Sequence, residues 1–434
     1  MNKVKIIGGG LAGVEAAWQL AKRGLAVELY EMKPQRFSPA HKSENLAELV
    51  CSNSLKADRV ESAAGLLKKE MENLGSVCVE AARKCSVAAG GALAVDRDEF
   101  SRLVTEKINS CELITVIREE VREIPEGNVI IAAGPLASDS ISESISRICG
   151  SGLHFYDAAA PIVTAESIDM SCAFTASRYG RGGEDDYINC PMNKAEYEEF
   201  YEALVNGERA LVHDFDKRGE VYEGCMPIEI MASRGADTMR YGPLKPVGLK
   251  DPRTGHRPWA NLQLRRENAE GSMFNLVGFQ TNLKFGEQKR IFSMIPALKN
   301  AEFVRYGVMH RNTFIDSPRL LNADFSMRNR PNLFFAGQIT GVEGYMESAA
   351  SGIMAGLNMA LRLEGKNTLV FHPHTMIGAL SAYISDETVK KFQPMGAAFG
   401  LLEPIEPKIR DKSQRYAALA ARALEAQSNA LKDI

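Results

Sequence analysis

Two kinds of residue in this chain can do chemistry: thiols set in polar surroundings, and glycines spaced to hold a phosphate. The sequence contains eight cysteines. Cys51 lies in Glu48-Leu49-Val50-Cys51-Ser52-Asn53-Ser54-Leu55-Lys56, and Cys225 in Tyr222-Glu223-Gly224-Cys225-Met226-Pro227-Ile228-Glu229. Polar, Gly and Pro neighbours predict loops or element ends, where a thiol is accessible. A thiolate can add to an electron-poor carbon or accept a proton, and a nearby cation favours it; Lys56 could supply that charge to Cys51. The alternative for each is an inert free thiol. Cys78, Cys85, Cys111, Cys149, Cys172 and Cys190 read as small buried hydrophobes. No CxxC pair occurs, and the spacing matches no zinc or iron–sulfur pattern, so no metal site is expected.

Gly8, Gly10 and Gly13 stand at GxGxxG spacing in Ile6-Ile7-Gly8-Gly9-Gly10-Leu11-Ala12-Gly13. The pattern alone is weak. Here a strand precedes it, a helix follows, and a second strand ends in Glu31. The first glycine permits the turn, the second lets a pyrophosphate approach the backbone, and the third lets helix and strand touch. Free N–H groups at the helix start would hold the phosphates, and Glu31 would accept hydrogen bonds from a ribose.

The elements that must position these residues follow from the apolar pattern. Val4 to Ile7 and Leu25 to Tyr30 are predicted strands around a helix from Leu11 to Lys22, which Gly24 stops. Helices are predicted over Ser62 to Leu74, Asp98 to Asn109, Ala195 to Leu204, Ser348 to Arg362 and from Lys408 onward. Strands are predicted over Leu113 to Ile117, Val121 to Ile124, Val129 to Ala132, Pro161 to Ala165 and Asn332 to Ala336. No internal repeat is visible. The simplest organisation is an α/β dinucleotide-binding domain built from both chain ends, residues 1–155 and 331–434. A mixed α+β domain, residues 156–330, is inserted between them.

At 434 residues, 45% hydrophobic and 25% charged, the chain has the composition of a soluble globular protein. No apolar run approaches the length of a membrane span, and no signal peptide is read at the N-terminus. A cytoplasmic location is expected. The net charge of −3 gives no overall case for a nucleic-acid partner. Its distribution is uneven: Glu166 to Glu229 holds fifteen acids and six bases, Met231 to Arg319 fifteen bases and seven acids. An anion held on one face would need a segment like the second, although an ordinary solvated surface has the same appearance.

Three segments together resemble the glutathione-reductase-type flavoproteins: the opening turn, Val129-Ile130-Ile131-Ala132-Ala133-Gly134, and Asn332-Leu333-Phe334-Phe335-Ala336-Gly337-Gln338. The resemblance implies a Rossmann-type FAD-binding domain. Val121 would then contact the adenine through its backbone, and Gly337 and Gln338 would lie near the ribityl chain. That family usually has Asp where this chain has Gln338. No second GxGxxG offers a site for NAD(P)H.

A more specific resemblance spans essentially the whole chain. Glu48 to Asp58, Tyr222 to Leu249, Phe279-Gln280-Thr281-Asn282-Leu283 and Gln338 to Ala355 are similar to the folate- and FAD-dependent tRNA uracil-5 methyltransferases, the TrmFO family. A much longer relative, the MnmG-type tRNA-uridine modifying flavoproteins, shares the opening turn and would not carry the Cys225 segment in this form. The resemblance implies methylation of C5 of the T-loop uridine of tRNA. 5,10-Methylenetetrahydrofolate would give the carbon, reduced FAD the hydride, and NAD(P)H would act as reductant. It implies Cys225 as nucleophile at C6 and Cys51 as proton acceptor or second covalent participant, roles that could be exchanged. It implies His310 stacked on the folate pteridine, against which stands an ordinary hydrogen-bonded histidine. Phosphate contacts would fall to Arg234, Arg240, Lys284 and Arg290 of the basic segment. A flavin oxidoreductase acting on a small molecule, or a tRNA-binding flavoprotein without catalysis, are the other functions open to these residues. Oligomeric state is not legible.

Overall fold

The computed structural model describes residues 3–38, 40–150, 153–158, 160–183, 185–210, 226–307, 309–390 and 392–433, with only the backbone of 153–158, 309–313 and 433. Val4–Ile7 lies inside a six-stranded sheet. The order across that sheet is Ser326–Met327, Arg330–Phe335, Asn128–Ile131, Val4–Ile7, Val27–Tyr30, Ile114–Ile117. Every adjacent pair is parallel except the edge pair Ser326–Met327 with Arg330–Phe335. Covered parallel strands are mostly apolar, as Val-Lys-Ile-Ile and Asn-Val-Ile-Ile are here apart from Lys5 and Asn128. Ile7 stands beside Tyr30 on one side and Ile131 on the other. The parallel register therefore brings the carboxyl ends of strands from both halves of the chain to one edge, where ligands of such sheets bind.

Against this sheet lies the helix Leu11–Lys22, and against that helix lies Tyr345–Leu363. The crossing depends on missing side chains. A Cβ at Gly352 would fall inside van der Waals distance of the Ala12 carbonyl oxygen, and one at Gly356 would meet Ala16 in the same way. Glycine four residues apart thus lets two backbones touch, and the second helix carries its N-terminal Tyr345 to the glycine turn after Val4–Ile7.

A second six-stranded sheet is antiparallel throughout, ordered Phe174–Thr175, Tyr187–Met192, Ala260–Arg266, Met273–Leu276, Ile162–Thr164, Phe303–Arg305. It has its own buried cluster, including Phe200, Phe279 and Phe292, separate from the cluster formed by residues 4–145 and 314–423. Leu153–Ala158 pairs with Met309–Phe314 where the chain leaves and re-enters the first layer. The sequence boundaries at 155 and 330 fall inside strands Leu153–Ala158 and Arg330–Phe335. A small third sheet of Ser54–Ala57, Ala92–Val95 and Ser86–Val87 carries the Cys51 loop.

One predicted strand is not one. Val121 to Ile124 has no ladder partner and runs as irregular backbone, with the Ile124 amide donating to Ser144 Oγ at 3.2 Å. Pro125 and Gly127 follow directly, and proline has no N–H to give a ladder. No described helix is long and apolar enough to cross a membrane.

Candidate active site at the dinucleotide cleft

The turn between Val4–Ile7 and Leu11–Lys22 opens onto a cleft with about 1070 Å³ of empty space, part of it open to solvent. Gly8 has φ +108°, which L side chains rarely adopt, and its amide donates to the Tyr30 carbonyl at 2.8 Å. A Cβ at Gly13 would collide with the Gly8 carbonyl oxygen, so Gly13 packs beneath the turn and does not line the cleft. Gly10 differs: a Cβ there would meet no protein atom within 4 Å. Gly10 is also the helix N-cap and offers no side-chain cap, so the first N–H groups face the opening.

Gly8, Gly9, Gly10, Leu11, Ala12, Glu31, Val121, Gly337 and Gln338 all line this cleft. The Glu31 carboxylate accepts from the Gly9 amide at 3.1 Å and the Lys33 amide at 3.0 Å, which fixes it at the end of its strand. Val121 reaches the wall from irregular backbone. Gln338 donates to the Glu343 carboxylate. Its side chain is therefore committed locally, an arrangement that an Asp at this position, lacking an N–H, would not make.

Val50, Tyr345 and Ser348 belong to the same wall, and Val50 leads directly into Cys51. Cys51 is half-buried. Its loop is held from four directions. Arg97 donates to the Leu49 carbonyl at 2.8 Å, and Arg305 donates to the Val50 carbonyl. The Cys51 and Ser52 amides both donate to Tyr345 Oη, at 2.6 and 3.2 Å. Arg265 donates to Ser52 Oγ at 2.8 Å and to Asn53 Oδ1 at 3.0 Å. Fully buried Asn53 in turn donates to the carbonyls of Val95 and Arg266 at 3.0 and 2.8 Å. Lys56, the cation anticipated for Cys51, makes an ion pair with Glu347 at 2.7 Å. The positive groups that hold the Cys51 loop are Arg97, Arg265 and Arg305.

Cys225 lies outside the described residues. His310 is placed by its backbone in Met309–Phe314, opposite Asp157. The four basic candidates for RNA contact sit elsewhere than the cleft. Arg240 pairs with Asp237 at 2.5 Å and covers the Trp259 ring at 3.8 Å. Lys284 pairs with Glu208 and Arg290 with Glu287, each at 2.7 Å. Arg234 ends the short helix Ile228–Ser233. By contrast, exposed Lys250 and Arg257 make no ion pair among the described residues.

Sequence reasoning missed several members of the site. Tyr345 gave a signal only through its position just after Gly344, whose φ of +124° starts the helix. His41 also lines the cleft, with Ser38 Oγ 2.6 Å from its Nδ1. Burial first, and then the Lys33 charge, hold the His41 imidazole below its usual pKa. Arg97, Arg265 and Arg305 had no signal beyond belonging to charged stretches.

Comparison with known proteins agrees with this geometry. Residues 3–367 match the family described as "Glucose inhibited division protein A". A protein of Acetivibrio thermocellus described as "Methylenetetrahydrofolate--tRNA-(uracil-5-)-methyltransferase TrmFO" is 61% identical over 427 residues, 98% of each chain. One of the same description from Enterococcus faecalis is 54% identical over 434 residues, covering 100% of this chain and 99% of that one. Among solved structures, Aquifex aeolicus GidA is 18% identical with a TM-score of 0.70, covering 100% of this chain and 75% of that one, which establishes a shared fold. With relatives this similar along nearly the whole length, the chain belongs to the TrmFO family of methylenetetrahydrofolate–tRNA-(uracil-5-)-methyltransferases.

Proposed function

We propose that this chain converts the T-loop uridine of tRNA to ribothymidine. 5,10-Methylenetetrahydrofolate would provide the carbon, and NAD(P)H the electrons that reduce FAD. The observation that carries the reading is end-to-end similarity to proteins described by that reaction, joined to a Cys51 loop built into the wall of a dinucleotide cleft.

The residues present fit FAD. An empty approach to Gly10, uncapped helix N–H groups and the Glu31 carboxylate suit a pyrophosphate and a ribose. Gly8 to Ala12, Glu31, Val121, Gly337 and Gln338 would hold it, with Gly13 supporting the turn from below. Bound and reduced, the flavin supplies the hydride that completes a methyl group. Cys225 would add through sulfur to C6, making C5 nucleophilic. The folate methylene would bond to C5 as its two bonds to the folate nitrogens break and tetrahydrofolate leaves, and Cys51 would take the C5 proton. The S–C6 bond would break as the product forms. His310 would stack on the pteridine.

The uridine must leave its stack to reach the cleft. Arg234, Arg240, Lys284 and Arg290 remain the proposed phosphate contacts. Lys250 and Arg257 join them, because they are exposed and make no ion pair among the described residues. Residues 1–155 and 331–434 would serve the flavin, and 156–330 the RNA.

The test is transfer of labelled carbon from methylenetetrahydrofolate into tRNA by purified protein with FAD and NAD(P)H. Ribothymidine is the expected product. Its absence would overturn the proposal. Salt-sensitive tRNA binding without methylation would then point to a non-catalytic flavoprotein.

A further inference from the structure

Three guanidinium groups and one carboxylate meet behind the Cys51 loop. Arg97, Arg265 and Arg305 each donate to that loop, from three different elements. Glu267 pairs with Arg97 and is 4% exposed; Arg265 is 6% exposed. Guanidinium groups do not lose their protons in proteins, so three positive charges face one negative charge. Burying an uncompensated charge is costly, of the order of several kcal/mol per ion, and an anion alongside relieves it. Among the described residues, few groups facing this cluster can supply one. Tyr345 is half-buried, and desolvation of its hydroxyl drives that pKa up, away from phenolate. Glu347 is committed to Lys56 at 2.7 Å. Burial also raises the Glu267 carboxyl, which weakens the one carboxylate already there. Cys51 remains: it sits between Val50 and Ser52, the residues that Arg305 and Arg265 hold.

We propose that Arg265 and Arg305 are positioning residues that hold Cys51 as a resting thiolate, ready to receive a proton. The inference rests on the reading above, in which Cys51 takes the C5 proton of the uracil. Neither arginine touches the substrate in this scheme. They fix the loop through Val50, Ser52 and Asn53, and they set the charge state of the sulfur between those points. Tyr345 adds geometry by receiving the Cys51 and Ser52 amides, which aims the thiol-bearing turn.

The experiment is alkylation of Cys51 by iodoacetamide in the full flavin-loaded chain, from pH 5 to 10, read by peptide mass spectrometry. In wild type the reactivity midpoint should lie at least one unit below the roughly 8.5 of an ordinary thiol. Arg265→Met and Arg305→Met should each raise it by about a unit, and the Lys variants should restore it. A wild-type midpoint at or above about 8.5, or a Met variant with an unmoved midpoint, overturns the proposal. If Arg265→Met fails to fold, the wild-type midpoint and Arg305→Met decide it. Parallel methylation assays separate the two ideas. A low midpoint in a protein that methylates nothing refutes the function and keeps the thiolate, and normal methylation with an ordinary midpoint does the reverse.

Discussion

Replacing Gly10 with Val separates ligand binding from folding. At Gly10 the backbone has φ −75° and ψ −173°, an extended conformation any residue adopts. A Cβ there meets nothing within 4 Å, so the folded chain should tolerate the branched side chain. That open space is where the proposed pyrophosphate approaches the helix start. Losing two charge-assisted hydrogen bonds of about 1.5–3 kcal/mol each would remove roughly 3–6 kcal/mol of binding. At 1.4 kcal/mol per tenfold, FAD affinity should fall by about a hundred- to ten-thousand-fold. Gel-filtered Gly10→Val should be colourless, with a urea midpoint equal to that of flavin-free wild type. Full yellow occupancy would refute the placement of the phosphates; a lowered apo midpoint would refute the claim that this glycine is required for the ligand alone.

Gly352→Ala should behave oppositely. Ala ordinarily gains about 1 kcal/mol over Gly inside a helix, yet here the methyl would strike the Ala12 carbonyl, so a net loss of about 1–3 kcal/mol should appear in urea unfolding of the apo protein. For catalysis, Cys225→Ala should abolish the gel-shifted adduct with RNA carrying 5-fluorouracil, and an undiminished adduct would move the nucleophile to Cys51. Lys284→Ala should lower the slope of log affinity against log salt for tRNA by about one, and an unchanged slope would remove Lys284 from the interface. Glu70 concerns stability: its buried carboxylate accepts the Met376 and Ile377 amides, each at 2.8 Å, yet desolvation outweighs those bonds and raises its pKa from 4.5 to about 8. The folded state thus holds the proton more tightly than the unfolded one. The stabilisation linked to that proton is complete below pH 4.5 and is lost as pH rises toward 8, at up to about 1.4 kcal/mol per unit. Glu70→Gln should flatten this part of the stability–pH profile, and a profile parallel to wild type would assign the slope elsewhere.

Much of the fold was legible because its signals are local. The strand Val4–Ile7 and the helix Leu11–Lys22 have the bounds expected from the apolar pattern, and Ser62 caps its helix through the Gly65 amide at 3.1 Å. Val121 to Ile124 failed as a strand because a short segment with apolar ends says nothing of a ladder partner. The glycine pair at 352 and 356 was visible as small residues in a helix, but not that Ala12 and Ala16 would lie beneath it.

By itself the sequence determined the phosphate turn, the likeness to a family, and the singling out of Cys51. Turn geometry depends on a few adjacent φ and ψ angles, and those are encoded by adjacent residues. Only the tertiary structure decided what surrounds Cys51. Arg97, Arg265, Arg305 and Tyr345 reach its loop from positions up to 294 residues away. Their approach is set by sheet register and helix packing, and charge interactions depend on distance in space. Lys56, near in sequence, turned to Glu347, while the distant arginines came to the loop that carries the thiol.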